Sequence, residues 1–183
     1  MKLNEQVFSA CPNLETPRLN LRQIQVTDAQ AILDMRQNEN VNRYIARDPM
    51  LSISEANELV DKTNELFTKM EAIGWAGVHK GSGEMVGTCG IIRIDHHHLR
   101  AEIGGEMSAH YWGKKLALEA SVKIVEFGFN QLQLHALESW MFAENRGAIA
   151  IMKALGFEKE AHLKDKVLYG ERFKDVVIYT KFR

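Results

Sequence analysis

Between Ala101 and Phe129 the hydrophobic period changes once, and it does so around a single glycine. "AEIGGEMSA" (101–109) sets polar residues at alternate positions, as a strand with one buried face does. Within Lys115–Phe129, Leu116, Ala120, Ile124 and Phe127 then fall on one helical face. Gly113 lies in the short connection. A strand that enters a helix this abruptly points several backbone N–H groups at one spot, where the helix dipole already favours negative charge. Two readings of Lys114 and Lys115 stay open on this evidence: cations beside a phosphate site, or solvated surface residues. "GKKLA" lacks the glycine spacing and the Gly-Lys-Ser/Thr ending of a nucleoside-triphosphate loop, and the stretch lacks the three-glycine dinucleotide fingerprint.

The surrounding pattern extends this unit into a mixed α/β chain. "RLNLRQI" (Arg18–Ile24) alternates as a strand. Thr27 with Gln30, and Ser52 with Glu55, have the spacing of capping boxes, so helices are expected over 27–37 and 53–71. "GWAGVHKGSGEMVGTCGIIRI" reads as a hairpin whose turn draws positive φ from Gly81 and Gly83. Residues 134–142 are extended, 145–155 form a helix stopped by Gly156, and the tail forms two strands joined near Gly170 and Glu171. The order β α α β β β α β α β β implies an antiparallel meander, a strand–helix–strand unit that permits parallel pairing, and a closing hairpin.

With 183 residues, the chain is expected to form one domain (1–183), with 1–13 as a loose leader. Its 23 basic and 24 acidic residues give a net charge of -1, which argues against a nucleic-acid or anionic-membrane partner. Cys11 and Cys89 make no disulfide framework. The opening lacks the apolar run of a signal peptide, and no stretch approaches the ~18 apolar residues of a membrane helix, so a soluble, cytoplasmic protein is expected.

Taken together, "ETPRLNLRQIQVTDA", "AEIGGEMSAHYWGKKLALEA" and "ENRGAIAIMKALGFEKE" resemble the GNAT superfamily of acetyl-CoA-dependent N-acetyltransferases, most of all its ribosomal-protein N-terminal acetyltransferase branch. The resemblance runs from Leu14 to Phe182. It implies a twisted, mostly antiparallel sheet of six or seven strands with flanking helices, opened by a splayed cleft beside the strand Glu102–Ser108. It further implies that acetyl-CoA is the co-substrate, with no metal, and that Met107, Ser108, Trp112, Gly113, Lys114, Lys115, Leu116, Ala117, Asn145 and Ala148 bind it. The pyrophosphate loop would be His110–Ala117. Gly113 matches the family pattern there, whereas Lys115 stands where a small residue is usual and His110 where Gln or Arg is. An N–H near Glu106 or Met107 would polarise the thioester carbonyl.

The chemistry needs a proton acceptor for the amine. Glu102 matches the family's strand-four glutamate and Glu106 lies on the same strand face; both are also what a solvated strand face looks like. The family's acids for the departing thiolate are missing, with Met152 and Ala148 at their positions, which leaves Tyr169, water or no acid. Two readings follow: an N-acetyltransferase acting on a small amine or a protein N-terminus, and a non-catalytic acyl-CoA-binding or sensing module on the same fold. Asp95–Arg100 ("DHHHLR") reads as a solvated turn, because adjacent residues rarely ligate one ion. Trp75, Trp112 and Trp140 read as core or rim, with Trp75 and Trp140 as possible walls of an acceptor pocket. Arg43, Tyr44 and Arg47 could meet an acidic or peptide acceptor, or be surface. The chain is expected as a monomer or homodimer.

Overall fold

The computed structural model describes residues 2–183. The N-terminal alternation forms β1 (Leu14–Glu15) and β2 (Leu19–Gln23), followed by α1 (Ala29–Gln37), the single turn α2 (Glu39–Asn42) and α3 (Ile53–Thr68). A meander of β3 (Ile73–His79), β4 (Met85–Asp95) and β5 (Arg100–Met107) leads into α4 (Leu116–Asn130). β6 (Ala136–Phe142), α5 (Arg146–Ala154), β7 (Glu158–Tyr169) and β8 (Arg172–Phe182) complete the chain. One eight-stranded sheet results, in the order β1-β2-β3-β4-β5-β6-β8-β7. The two-residue β1 takes it one strand beyond the six or seven expected.

Every pairing is antiparallel except β5 with β6. The parallel pair is crossed over by α4, whose predicted apolar face (Leu116, Ala120, Ile124, Phe127) is buried against the sheet. The main core joins that face to Leu19, Leu21, Ile73, Trp75, Ile91, Ile103 and Leu137. A smaller cluster, with Ile32, Leu33, Ala56, Val60 and Ala76, lies beneath α1 and α3 on the other face. The sheet is therefore a partition: α4 lies on one side and α1 with α3 on the other.

Several expectations are corrected. Residues 3–13 are not loose: Leu3 is buried, Glu5–Ser9 form a 3-10 turn, Asn4 N–H donates to Leu132 O at 3.2 Å, and Phe8 packs on Phe67. The Thr27–Gln30 box does not form: a 3-10 turn over Val26–Asp28 precedes α1, and the Asp28 carboxylate accepts from Gln25 N–H at the start of that turn and from Arg22, both within 2.8 Å. Ser52 does cap α3, accepting from Glu55 N–H at 3.3 Å, while Glu55 reaches back to Leu51 N–H. That helix ends at Thr68, not 71, because Met70 turns to φ 61. In the β3–β4 turn only Gly83 has positive φ; Gly81 does not. Trp75 is fully buried and packs edge-on against Phe127, 5.5 Å between centroids, on the α4 side, so it lines no acceptor pocket.

Candidate active site

Two residues of the "ETPRL" stretch hold the beginning of α4. Glu119, in its first turn, accepts from Thr16 Oγ1 (2.6 Å), Arg18 N–H (2.8 Å) and Arg18 Nε (2.8 Å). Arg18 Nη1 also donates to Lys114 O at 3.0 Å. Burial pushes the Glu119 carboxyl up, but the three donors and the Arg18 charge outweigh it and hold it below its usual range. A sequence segment 100 residues away thus fixes the turn that enters the helix.

That turn presents unused donors. Gly113 has φ 75 and Lys115 φ 62, so two left-handed residues flank Lys114 and curl the backbone into a concavity of N–H groups. Tyr111 and Trp112 donate to Ser108 O and Ala109 O, and Glu119 N–H to Lys115 O. Among the described residues, the amides from Gly113 to Leu118 have no protein acceptor, and Lys115 provides no side-chain cap. Leu116 contributes only its amide, since its side chain lies in the core. Lys115 fits the αL well at a steric cost, which explains why a small residue is usual there. Lys114 Nζ lies over the Tyr111 ring at 4.7 Å from its centroid.

Directly before the turn, the sheet opens. β5 pairs with β6 only over Arg100–Glu102 against Ala136–Glu138, and the strands diverge beyond. Ser108 N–H donates to Val86 O on β4 at 2.9 Å. By antiparallel alternation the Glu106 backbone also faces β4, whereas Gly105 and Met107 turn theirs into the gap. Of the two expected donors, only the Met107 N–H is therefore turned toward the gap, and the Ser108 N–H is committed to β4. The Met107 carbonyl accepts from Trp112 Nε1 at 2.9 Å, and the Trp112 indole is half exposed. Across the gap, Asn145 Oδ1 caps α5 by accepting from Ala148 N–H at 3.1 Å, so the Ala148 amide is committed and the Asn145 amide nitrogen is free to donate.

Strand alternation puts Glu102, Gly104 and Glu106 on the α1 side of β5. Their surroundings differ. Glu102 sits at the vertex of the gap with Arg93 on its carboxylate. Arg93 reaches it from a bulge in β4, at φ 51. Burial raises the Glu102 carboxyl above its usual range, with Arg93 opposing and Glu138 reinforcing the shift. Glu106 is more deeply enclosed: its side chain is 5% exposed and is gripped by Arg36 of α1 (2.6 and 2.7 Å) and by Arg47. Arg47 also donates to Asn42 Oδ1 at 2.9 and 3.0 Å. Both Glu106 oxygens are therefore engaged by cations, so it serves as an anchor and not as a free base. Between the two carboxylates Gly104 leaves open space, with nothing within 4 Å of where a Cβ would stand.

The loop after α2 reaches over this region. Tyr44 lines an open cavity of about 540 Å³ with Ala143, Glu144, Arg146 and Gly147, at the junction of β6 and α5. Tyr169 closes the same side, its hydroxyl donating to Asn42 O at 3.2 Å and its ring lying 5.8 Å from Phe142. That hydroxyl is tethered to the loop through Asn42 O, and Met152, buried in the core, carries no ionisable proton. Trp140 is 43% exposed on the α1 side of β6. His97 and His98 point their N–H groups at Asp95 Oδ1 at 2.9 and 2.8 Å, forming a turn, and among the described residues no group of three His, Cys, Asp or Glu side chains is placed to hold a metal ion. No helix is long and apolar enough to cross a membrane.

Sequence reasoning missed Arg36, Arg93 and Asn42, which lie in unremarkable stretches and become relevant only through contacts with β5 and the hairpin tail. Thr16 and Arg18 lie in the "ETPRL" stretch that carries the resemblance, but nothing in the sequence signals their contact with Glu119.

Comparison with known proteins agrees with this geometry. Residues 18–158 match the model of the acetyltransferase (GNAT) domain. The uncharacterized N-acetyltransferase p20 of Bacillus licheniformis is 32% identical over 167 residues, 91% of this chain and 94% of that protein. Spermidine N(1)-acetyltransferase of Escherichia coli K12 is 28% identical over 159 residues, 87% of this chain and 83% of that protein. The structure of the ribosomal L7/L12 alpha-N-protein acetyltransferase RimL, in complex with coenzyme A, superposes with a TM-score of 0.86 at 15% identity, covering 93% of this chain and 98% of that one, and so supports the fold. A sheet splayed beside a helix with uncapped amides, together with these matches, makes the chain a member of the GNAT acetyltransferase family, an acetyl-CoA-dependent N-acetyltransferase.

Proposed function

We propose that the chain acetylates a primary amine in the gap between β5 and β6, using acetyl-CoA held along the exposed edge of β5 and at the start of α4. The observation that carries this reading is the continuity of unused backbone donors, from Gly105 and Met107 in the gap to the amides of residues 113–118. The six amides and the helix dipole suit a pyrophosphate; Lys114 and Lys115 add charge beside it. The gap lacks a strand, and a pantetheine arm with its two amides can fill that place. Trp112 lies against the Met107 carbonyl, between these two sections.

Over Gly104 the open space receives the amine, with Glu102 as the proton acceptor, directly or through water. The amine lone pair attacks the thioester carbonyl carbon while the proton passes to Glu102 and Met107 N–H donates to the oxygen as it becomes anionic. The C–N bond forms, the C–S bond breaks, and CoA leaves as a thiolate; a thiol pKa of about 8.5 makes departure without a side-chain acid tolerable. Glu106 holds α1 and the loop after α2 against β5, so the amine's surroundings stay fixed. The acceptor is a small amine or a peptide N-terminus.

The test is thiol release from acetyl-CoA on a panel of peptides, polyamines and amino acids, with Glu102→Gln in parallel. Expected is turnover on one amine class, reduced by about 10²–10⁴-fold in the variant. The non-catalytic reading is distinguished by a CoA-induced thermal shift without thiol release on any acceptor.

A further inference from the structure

The guanidinium groups around the acceptor side outnumber the carboxylates that pair with them. Arg36 and Arg47 share Glu106, and among the described residues no other carboxylate lies within 4.0 Å of either guanidinium. Each is only about one-fifth exposed, at 20% and 19%, so the cluster holds one uncompensated positive charge with little solvent around it. The open cavity lined by Tyr44 shows an imbalance of its own. Of its two charged lining residues, Glu144 is held by Lys174 at 3.0 Å, whereas Arg146 has no carboxylate partner among the described residues. Arg43 is unpaired in the same sense and lies 5.5 Å over the ring of Tyr44, which lines the cavity. Glu39 and Asp48 belong to the same loop region but line no part of the cavity.

We propose that the acceptor carries a carboxylate close to its amine, received by Arg146 and Arg43 at the mouth of the cavity between Tyr44 and the start of α5. This inference rests on the acetyl-transfer reading and adds the substrate class. A guanidinium presents paired N–H donors that match a carboxylate in its plane; Arg146 and Arg43 are exposed and have no carboxylate partner among the described residues, so their charge favours an anion and disfavours a second cation. A polyamine, with further ammonium groups beside the reacting one, meets the opposite field. The fitting acceptors are therefore an acidic amino acid or a peptide whose N-terminal residue is followed by Asp or Glu.

The experiment measures equilibrium binding to the full chain saturated with CoA, which needs no turnover. The probes are the peptides Ser-Glu-Glu-Ala and Ser-Lys-Lys-Ala, free glutamate and spermidine. The acidic peptide is expected to bind about tenfold or more tightly than the basic one, with the advantage falling as salt is raised. Arg146→Gln should bring the two peptides within about threefold while leaving the affinity for CoA unchanged, and Arg146→Glu should invert the order. Glutamate binding as tightly as the acidic peptide would identify a free amino acid as the acceptor; tighter peptide binding would identify a protein N-terminus. Tighter binding of spermidine or of the basic peptide overturns the inference, as does a preference unchanged in Arg146→Gln. A loss of CoA affinity in that variant also overturns it, because it would assign Arg146 to the co-substrate. Thiol release on the same acceptors reports separately: acidic selectivity in binding without any thiol release would leave the anion site standing and defeat the acetyl-transfer reading.

Discussion

Replacing Glu106 by Gln should be among the most damaging single-atom changes in this protein, and much more damaging than removing either arginine that grips it. The isosteric amide keeps the shape of the side chain and deletes its charge. In the native cluster two attractions act against one repulsion; at contact distance and an effective dielectric of about 20 each such term is about 4 kcal/mol in magnitude. Glu106→Gln removes both attractions and leaves two guanidiniums facing each other at one-fifth exposure. Arg47→Gln instead removes one attraction together with the repulsion and leaves a matched pair. Solvent at the guanidinium tips and side-chain relaxation reduce the first cost to about 3 kcal/mol, the low end for a broken buried pair, and the second to about 1 kcal/mol. At about 2–4 °C per kcal/mol for a chain of this size, the melting temperature should fall by about 6–12 °C for Glu106→Gln and about 2–4 °C for Arg47→Gln. The double variant should be less destabilised than the sum of the singles, because the charge left stranded by the first change is removed by the second. Calorimetry of the four proteins at low and high salt measures this. A Glu106→Gln protein melting within 2 °C of the parent, or an Arg47→Gln protein melting lower than it, would refute the reasoning.

Glu102 should behave in the opposite way. Its folded pKa is raised, so the folded state binds the proton more tightly than the unfolded chain, and ionised Glu102 costs stability at pH values above its unfolded value of about 4.3. Glu102→Gln should therefore melt at or above the parent temperature at pH 7.5, with the difference vanishing below about pH 4, while its acetyl transfer is lost; a lower melting temperature at pH 7.5 would contradict the burial argument. Asp175 illustrates the reverse sign: its carboxyl is held low by the Asp165 N–H and by His162, so it stabilises the fold above the unfolded value, and that contribution disappears as pH falls through the lowered one. A melting-temperature difference between parent and Asp175→Asn that persists unchanged at pH 2 would count against it. Lys115→Gly should relieve the left-handed strain and raise stability by about 0.5–1 kcal/mol, the αL penalty less the extra entropy of glycine, while CoA affinity stays within threefold if the amides alone hold the pyrophosphate. Gly104→Val should fill the space above β5 and lower kcat/KM for the acceptor by about tenfold or more without changing the KM for acetyl-CoA; an equal loss on both would place that space on the co-substrate side.

The elements that repeat a simple period were legible in the sequence. The apolar face of α4 at Leu116, Ala120, Ile124 and Phe127 was written at helical spacing and is buried as written, since a helix has one stripe to hide and a sheet to hide it on. The closing hairpin turned where Gly170 stands, at φ 62, because a tight turn there needs the left-handed region. The amide-lined turn was half visible: Gly113 between a strand and a helix announced the exposed amides, but not that Thr16 and Arg18 clamp the helix from the far end of the sequence.

What the order of residues could not decide is what each carboxylate on β5 faces. Glu102 and Glu106 are four residues apart on one strand face and are equivalent by any rule of spacing. One is a part-buried carboxylate at the vertex of the gap with a single strained arginine; the other is fixed by two arginines from α1 and from the loop beyond α2. The difference arises because β4, α1 and that loop approach the two positions from different sides, and charge interactions depend on distances through space that local sequence does not encode. Likewise, the chain's net charge of -1 conceals the two guanidinium groups that share the single carboxylate of Glu106, since a total is fixed by composition and a local field by folding.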